Sequence, residues 1–455
     1  MTHDNFSSGL KYQSELLGFS RASKVFNFAA YSFDIAVHNV FAALTSGGCL
    51  CVPAEDDRWG NLERSLIDLE ATIINLTPSV ARLIDPSRLP HLETLILAGE
   101  AVTVDDATRW LGRVRVANAY GPAEVGICTI SVGTQPSAPQ EATSIGQGAG
   151  VVTWVVDQRD HNHLMPPGCV GELLLEGPLI SRGYLNDEQK TAAAFIRDPP
   201  WLLQGAPGQK GRHGRLYKTG DLVRYNADGK LFYLGRKDTQ VKIRGQRVEL
   251  AEVEHFVRRC LPDVEQVTAE VVMPHGENAG ETLMAFIETK NWDASPNNIS
   301  QGVNTIRIDA DAEAALARHL PRHIRPSAYI SLPKEQLPLT ATGKIDRRRL
   351  REMGASLLIR GLAQDDDARR TAGERPTNKR QPQSASERQM REIWARVLKM
   401  DAAGIGMDDN FFELGGDSIA VMVVVAEARK AGLHLAAAEM FRRPDLSLSL
   451  AAGGG

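Results

Sequence analysis

The chain has 455 residues, long enough for two or three domains, and its formal net charge is only -4. That charge, with no long cluster of lysine and arginine, argues against a nucleic-acid-binding protein. No uninterrupted apolar run reaches the roughly 18 residues of a membrane span, and the N-terminus lacks a secretion signal. The five cysteines have no metal-ligand spacing and are interpreted as reduced thiols of a cytoplasmic protein: Cys49, Cys51, Cys128, Cys169 and Cys260.

Residues 1–237 show the alternation expected of an α/β domain. Helical spacing is found between short apolar runs, for example at 62–69. Those apolar runs predict buried strands at 49–52, 72–76, 95–98 and 151–156.

Residues 238–352 predict a smaller α+β domain. Within it, 241–244 alternates like a strand, 245–246 is a turn, and 252–261 has the spacing of a helix. This second block is introduced by the apolar stretch at 231–234.

Charged residues and prolines dominate residues 353–383, so this stretch is predicted to be a solvated linker. Residues 384–450 then predict a small all-α helical domain. Either of two capping boxes fits its first helix, Ser384 with Glu387 or Ser386 with Gln389. The apolar residues that follow are spaced as on one helix face: Met390, Ile393, Trp394, Val397 and Leu398.

The segment Glu-Leu-Gly-Gly-Asp-Ser-Ile at 413–419 places Ser418 at a predicted helix start with no base beside it. A serine without a base is a poor nucleophile, so this hydroxyl is better suited to being modified than to attacking. Gly415 and Gly416 supply a flexible, exposed approach. The alternative is that Ser418 only caps the helix.

The segment Asn-Ala-Tyr-Gly-Pro-Ala-Glu at 118–124 combines the groups that a nucleotide–metal site needs. Tyr120 can stack on a purine, Asn118 can hydrogen-bond to the purine edge, and Glu124 can bind Mg²⁺. The alternative is a purely structural turn. Asp221, in Tyr-Lys-Thr-Gly-Asp-Leu at 217–222, can bridge two ribose hydroxyls or instead cap its own backbone.

Together these motifs resemble the adenylate-forming superfamily, and specifically the adenylation and carrier domains of a nonribosomal peptide synthetase. Any one motif is weak, but all of them occur in the family's order over nearly the whole chain. The matching segments are 31–34, 118–124, 171–177 with 181–185, 217–222, 235–254, 342–347 and the glycine-rich setting of Ser418.

This resemblance implies that the large domain binds ATP and an amino acid, and that Lys344 of the small domain is the catalytic residue. Glu124 would hold Mg²⁺, Asp238 would be the hinge between the domains, and Ser418 would carry a 4′-phosphopantetheine arm. The implied nucleotide-binding residues are Gly99, Asn118, Tyr120, Asp221 and Arg236.

The implied reaction forms an aminoacyl adenylate and loads it as a thioester on the chain's own carrier. The implied partners are a phosphopantetheinyl transferase and condensation or other synthetase domains, with no nucleic acid and no membrane. Two alternatives remain: a carrier module without catalysis, and a relative of acyl-CoA ligases. The fused carrier and Asp34 disfavour the second.

Asp34 lies where the family pairs a carboxylate with the substrate α-ammonium group, which favours an α-amino acid. Two small alanines and the apolar walls suit a large flat side chain, so an aromatic amino acid is expected. His38 and Asn75 add polar atoms for a phenol or an indole N–H, although His38 can equally be a core imidazole. The other pocket positions implied by the resemblance are Ile35, Ile96, Ala98, Ala119, Ile127 and Cys128.

The family's glycine-rich phosphate loop should precede residues 2–5, and the sequence begins there. Such a loop donates backbone N–H groups to phosphates. A chain without it is expected to be a fragment of a longer synthetase, impaired in catalysis. Exposed strand edges and low solubility are expected when it is expressed alone.

Overall fold

The computed structural model describes residues 1–133, 143–206, 208–238, 240–243, 246–261, 264–273, 282–289, 304–306, 308, 310–321, 324–332, 337–339, 345–357, 380–398, 400–412, 414, 416 and 418–446. The chain divides into two compact units. The first comprises Met1–Asp238, Glu392–Lys399 and Asp417–Gly455, and the second comprises Thr239–Arg391 and Met400–Gly416.

A seven-stranded sheet organises the first unit, in the order β2-β1-β3-β4-β5-β6-β7. Its strands are β1 (Lys24–Phe26), β2 (Cys49–Cys51), β3 (Ile73–Leu76), β4 (Thr94–Ala98), β5 (Arg115–Tyr120), β6 (Thr129–Gly133) and β7 (Gln147–Gly148). The first five run parallel, whereas β6 and β7 are antiparallel to their neighbours. The helices that accompany them are α1 (His3–Gln13), α2 (Asp34–Thr45), α3 (Glu55–Gly60), α4 (Leu62–Asp68), α5 (Pro78–Ala81) and α6 (Val104–Trp110), with a 3-10 turn at Pro86–Arg88.

The sequence of β4 explains why this sheet is covered on both faces. Successive side chains of a strand point to opposite faces. Leu95 and Leu97 therefore enter one apolar cluster, and Ile96 between them enters another. Parallel strands buried on both faces read as continuous apolar runs, which is the pattern seen here. At the edge of the sheet, beside β2, Leu44 and Val52 are 61% and 54% exposed.

A second sheet of the first unit has the order β10-β13-β9-β8, with β14 paired to β13. Its strands are β8 (Val152–Val156), β9 (Gly171–Glu176), β10 (Phe195–Arg197), β13 (Arg215–Tyr225) and β14 (Leu231–Arg236), and the hairpin β11 (Gly205–Ala206) and β12 (Gln209–Lys210) lies between β10 and β13 in the chain. The two accompanying helices are α7 (Glu188–Ala194) and α8 (Pro200–Gln204). Register between β13 and β9 is broken between Lys218 and Leu222, where Gly220 has a φ of +73°. That irregularity takes Asp221 out of register with β9, whereas on the other side of β13 it pairs with Arg236 of β14.

The second unit begins with the hairpin β15 (Gln240–Ile243) and β16 (Gln246–Glu249). A four-stranded sheet follows in the order β17-β18-β20-β19. Its strands are β17 (Val264–Val272), β18 (Thr282–Thr289), β19 (Asn304–Ile306) and β20 (Ala328–Leu332), and its helices are α9 (Leu250–Cys260), α10 (Ala310–His319) and α11 (347–357).

The predicted linker begins later than residue 353, because residues 353–357 are the last turn and a half of α11. Ala355 is 3% exposed and packs in an apolar cluster with Phe286 and Leu350. Residues 358–379 lie outside the described part of the chain.

Three helices and a 3-10 turn make up the described part of the predicted C-terminal domain: α12 (Ala385–Leu398), Ala402–Gly404, α13 (Ser418–Lys430) and α14 (Ala437–Arg442). The first of the two possible capping boxes is the one formed. Glu387 accepts from the backbone N–H of Ser384 at 2.8 Å, and the hydroxyl of Ser384 accepts from the N–H of Glu387 at 3.1 Å. Among the described helices, none is long and apolar enough to cross a membrane.

Candidate functional site

Tyr120 and Asp221, 101 residues apart in the sequence, meet through a hydrogen bond from the tyrosine hydroxyl to the carboxylate. Tyr120 ends β5 of the first sheet, and Asp221 lies at the register break of β13 in the second. The Nη1 atom of Arg236, from β14, donates to the other oxygen of Asp221 at 3.0 Å. The two sheets of the first unit thus converge on one buried carboxylate.

Arg236 is held by acceptors on three sides. Besides Asp221 it donates to the carbonyl oxygen of Thr219 at 2.9 Å and, through Nε and Nη2, to both oxygens of Asp238 at 2.7 and 2.6 Å. Burial alone would lower the pKa of Arg236, but the two carboxylates outweigh it and raise that pKa. The guanidinium is therefore fixed as a charged group that orients Asp221.

A second tyrosine, Tyr233, lies beside the ring of Tyr120 at this site. Tyr233 lies with its ring centroid 6.4 Å from that of Tyr120, at an interplanar angle of 39°. Burial, followed by the charge of Asp221, raises the pKa of Tyr120 well above its ordinary value and that of Tyr233 to about 12. Both phenols are consequently neutral at physiological pH, and Tyr120 acts as a hydrogen-bond donor.

Glu124 follows Tyr120 by four residues and is 8% exposed. The hydroxyl of Tyr184 donates to its Oε1 at 2.6 Å, and the backbone N–H of Ser181 donates to its carbonyl oxygen at 2.9 Å. A carboxylate is the donor type that suits Mg²⁺, which commonly uses one or two protein carboxylates and completes its shell with phosphates and water. Within the described ranges no cluster of three or more His, Cys, Asp or Glu side chains occurs that could hold a metal ion. The binding of Mg²⁺ by Glu124 stays a prediction.

Asn118 and Gly99 lie at the carboxyl ends of the neighbouring strands β5 and β4. Asn118 is buried opposite Leu97, and its Nδ2 donates to the carbonyl oxygen of Ser144 at 3.0 Å. Gly99 comes directly after β4. Their predicted place beside adenine stays a prediction.

The residues predicted to line an amino-acid pocket lie on α2, on strands β3 to β5 and directly before β6. Asp34 starts α2, where its Oδ1 accepts from the backbone N–H of Ile35 at 2.9 Å. Asn75 in β3 pairs with Ile96 in β4. Cys128 belongs to the adjoining apolar cluster, with its Sγ 3.4 Å from the carbonyl oxygen of Tyr120. Five of the predicted residues contribute to one apolar cluster: Ile35, Ile96, Ala98, Ala119 and Ile127.

Two of the predicted pocket residues have a buried polar atom with no hydrogen-bond partner among the described residues: Nδ1 of His38 and Nδ2 of Asn75. Burial lowers the pKa of His38 to about 4, so its imidazole is neutral at pH 7. A buried polar atom left without a partner is unfavourable. That these two atoms meet a polar group of the substrate stays a prediction.

Gln13 of α1 is a residue of this region that sequence reasoning missed. Its Oε1 lies 3.3 Å from Nε2 of His38, and its Nε2 donates to the carbonyl oxygens of Ile127 and Ala149 at 2.5 and 3.2 Å. The available signal was position: Gln13 is spaced three and four residues from Leu10 and Leu17, on the buried face of the helix.

Two parts of the chain match known protein families. Residues 1–185 match the family described as AMP-binding enzyme, and residues 388–448 match the phosphopantetheine attachment site. The chain therefore contains a segment of the AMP-binding family followed by a segment of the phosphopantetheine attachment family. Its homologues are nonribosomal peptide synthetases, and adenylation domains of this kind belong to an ATP-dependent ligase family.

Among its relatives, nonribosomal peptide synthetase dtxS1 of Metarhizium robertsii is 52% identical over 447 residues, which are 98% of this chain and 6% of that protein. Peramine synthetase A of Epichloe festucae is 51% identical over 98% of this chain and 16% of its own length. The chain thus spans a small part of each synthetase.

Two solved structures share the adenylation fold. Holo-PA1221, a synthetase protein containing adenylation and carrier domains, superposes with a TM-score of 0.67 at 26% identity, covering 98% of this chain and 68% of its own. The adenylation domain AlmE of Vibrio cholerae, in complex with glycyl-adenosine-5′-phosphate, gives a TM-score of 0.62 at 25% identity, covering 78% and 63%.

Of two further predicted residues, Ser418 is described only in part and Lys344 is not described at all. Ser418 begins α13 as predicted, but its side chain is outside the described structure, and so is all of Lys344. The residues after Lys344 are anchored, because Arg347 donates to Glu254 at 2.8 Å and to Glu270 at 2.7 Å. Asp238 is the last residue of the first unit's opening segment.

Proposed function

We propose that this chain activates an amino acid with ATP as an aminoacyl adenylate. The observation that supports this most directly is the convergence of Tyr120 and Arg236 on the carboxylate of Asp221. A carboxylate oriented by a fixed guanidinium can accept hydrogen bonds from two ribose hydroxyls. Tyr120 would support the adenine ring, with Asn118 and Gly99 at its edge.

In the proposed step, a carboxylate oxygen of the amino acid attacks the α-phosphorus of ATP. The bond from that phosphorus to the bridging oxygen breaks, and pyrophosphate leaves. Both reactants are anions, so Lys344 would donate hydrogen bonds to both and reduce their repulsion in the transition state. Glu124 would hold Mg²⁺, and the bound cation would neutralise phosphate charge.

We also propose that the product is loaded on the chain's own carrier domain. Ser418 would hold a phosphopantetheine arm, whose thiol would accept the aminoacyl group from the adenylate with release of AMP and of the thiol proton. Admission of that arm would use rotation of the chain at Asp238, in the manner of hinge-type domain motion.

The proposed substrate is an aromatic α-amino acid that carries a polar group on its ring. Asp34 would pair with the α-ammonium group. The side chain would contact the apolar cluster around Ile96, while Nδ1 of His38 and Nδ2 of Asn75 would meet the polar group. Tyrosine and tryptophan are the first candidates, and phenylalanine is the matched comparison, because a site built around hydrogen bonds discriminates strongly against an analogue that lacks the bonding group.

The test is exchange of labelled pyrophosphate into ATP with each of the twenty amino acids. We expect exchange with an aromatic amino acid, at least about a hundredfold lower in Lys344→Ala, because fixed charges at developing anions contribute on the order of 10² or more to rate. Lys210→Ala, in an exposed hairpin, is the control and should exchange normally. Exchange that persists in Lys344→Ala would contradict the proposed catalytic role.

The match of residues 388–448 to a phosphopantetheine attachment site also supports a second candidate, a carrier module loaded by another enzyme. A phosphopantetheinyl transferase would then increase the mass of the parent but not of Ser418→Ala. This modification without any amino-acid-dependent exchange would favour the carrier-only function.

A further inference from the structure

The carrier helices α13 and α14 contact α3 of the large domain, and all three helices belong to the first unit. Gly60, the last residue of α3, lies against Val425 of α13. A Cβ atom built on Gly60 would stand 2.5 Å from Cγ1 of Val425, closer than real Cβ contacts allow. Arg429, one turn further along α13, has Nη1 3.4 Å from the carbonyl oxygen of Gly60.

Trp59 extends this contact from the interior of the large domain to the carrier. Its ring lies 5.7 Å from Phe28 and 6.2 Å from Phe441 of α14, measured between centroids. Arg58 stacks on the same ring, with its guanidinium carbon 5.3 Å from the centroid. Met422 of α13 is 5% exposed and belongs to the same apolar cluster that Trp59 packs against.

We infer that the α3 patch, defined as Arg58, Trp59 and Gly60, is the surface by which the adenylation domain recognises its own carrier domain, and that Gly60 is a specificity-determining residue. The absence of a side chain at Gly60 admits Val425, so the patch accepts a carrier with a branched side chain at that position. This inference rests on the proposed function only in that docking matters for loading.

The backbone conformation of Gly60 allows its replacement by alanine without strain in the helix. Gly60 is helical and outside the left-handed region, so alanine fits its backbone conformation and is the better helix former. Gly60→Ala should therefore leave α3 intact and act on the contact with Val425. Overpacking a close contact costs about 1–3 kcal/mol, which corresponds to roughly a 5- to 150-fold change in an equilibrium.

The experiment uses the full chain, with phosphopantetheine attached, as parent, Gly60→Ala, Val425→Ala and the double variant. Hydrogen exchange of peptides from 418–430 reports docking without any reaction. Transfer of labelled amino acid to the carrier reports loading, and pyrophosphate exchange reports adenylation alone. We expect Gly60→Ala to increase hydrogen exchange in 418–430 and to lower loading at least about fivefold, with pyrophosphate exchange unchanged. The double variant should recover both properties, because the smaller alanine at 425 makes room.

Phe441→Ser is a second variant that removes an exposed contact of Trp59 and leaves the core intact, since Phe441 is 43% exposed. It should also increase hydrogen exchange in 418–430. Unchanged hydrogen exchange in both Gly60→Ala and Phe441→Ser would overturn the inference. So would a loss of pyrophosphate exchange in Gly60→Ala that Val425→Ala does not restore. A parent without pyrophosphate exchange would refute the proposed function, yet the hydrogen-exchange result would still decide the docking surface.

Discussion

Replacing Arg236 with methionine tests whether this side chain sustains a buried carboxylate. The side chains of Arg236 and Asp221 are 15% and 8% exposed, and Asp221 also accepts from Tyr120. Removing one partner of a buried ion pair costs about 3–5 kcal/mol because the other charge stays buried. The remaining hydrogen bond from Tyr120 places the expected cost of Arg236→Met at the lower end, about 3 kcal/mol.

The assay is urea unfolding followed by tryptophan fluorescence, with Arg64→Met as the matched control. Arg64 pairs with Asp68 at 2.8 Å, but the two side chains are 65% and 51% exposed, so the same substitution should cost less than about 1 kcal/mol. Asp221→Asn should remove most of the penalty when combined with Arg236→Met, because no buried charge remains. Equal losses in Arg236→Met and Arg64→Met would refute the reasoning.

Two further predictions concern pH and backbone. The pKa of His38 is about 4 in the folded chain against an ordinary 6.5, so between these two values only the unfolded chain binds this proton. The free energy of unfolding should therefore fall by about 2 kcal/mol between pH 7 and pH 5. In urea unfolding, His38→Gln should lack that part of the fall, whereas the control His163→Gln, at an exposed position, should keep it. Gly220→Ala and Gly229→Ala share a φ near +72°, so each should cost about 1 kcal/mol, but only at Gly220 does the new Cβ approach Arg236 Nη2 at 2.5 Å. ATP titration should therefore show weaker binding for Gly220→Ala alone, and equal affinities would contradict it.

Several elements of the large domain followed directly from the sequence. The strands predicted at 72–76 and 95–98 are found at Ile73–Leu76 and Thr94–Ala98, and the helix predicted at 62–69 is Leu62–Asp68. Long apolar runs in this α/β region have few alternatives to buried strands, so local pattern and tertiary structure agree. The α/β adenylation fold with a C-terminal carrier is confirmed by the solved relatives.

The contacts of the candidate site could not be predicted from residues that are neighbours in the sequence. Nothing near Asp221 in the sequence indicates Tyr120, and only the order of family motifs connected the two. Gln13 could not be assigned a role, because its acceptors are carbonyl oxygens 114 and 136 residues away. The end of α11 was missed because small Gly354 and Ala355 give little apolar signal, although Gly354 lies tightly against Val272.

The alternation of side chains along β4 separates two kinds of mutational change. Ile96 and Ala98 belong to the apolar cluster that contains the predicted amino-acid-binding residues. Leu95 and Leu97 belong to the cluster on the opposite face of the sheet. In the proposed function, variation at the first pair would change which amino acid is accepted, while the second pair would preserve the packing of the sheet. Substitutions on one face of β4 could thus accumulate during evolution without disturbing the packing on its other face.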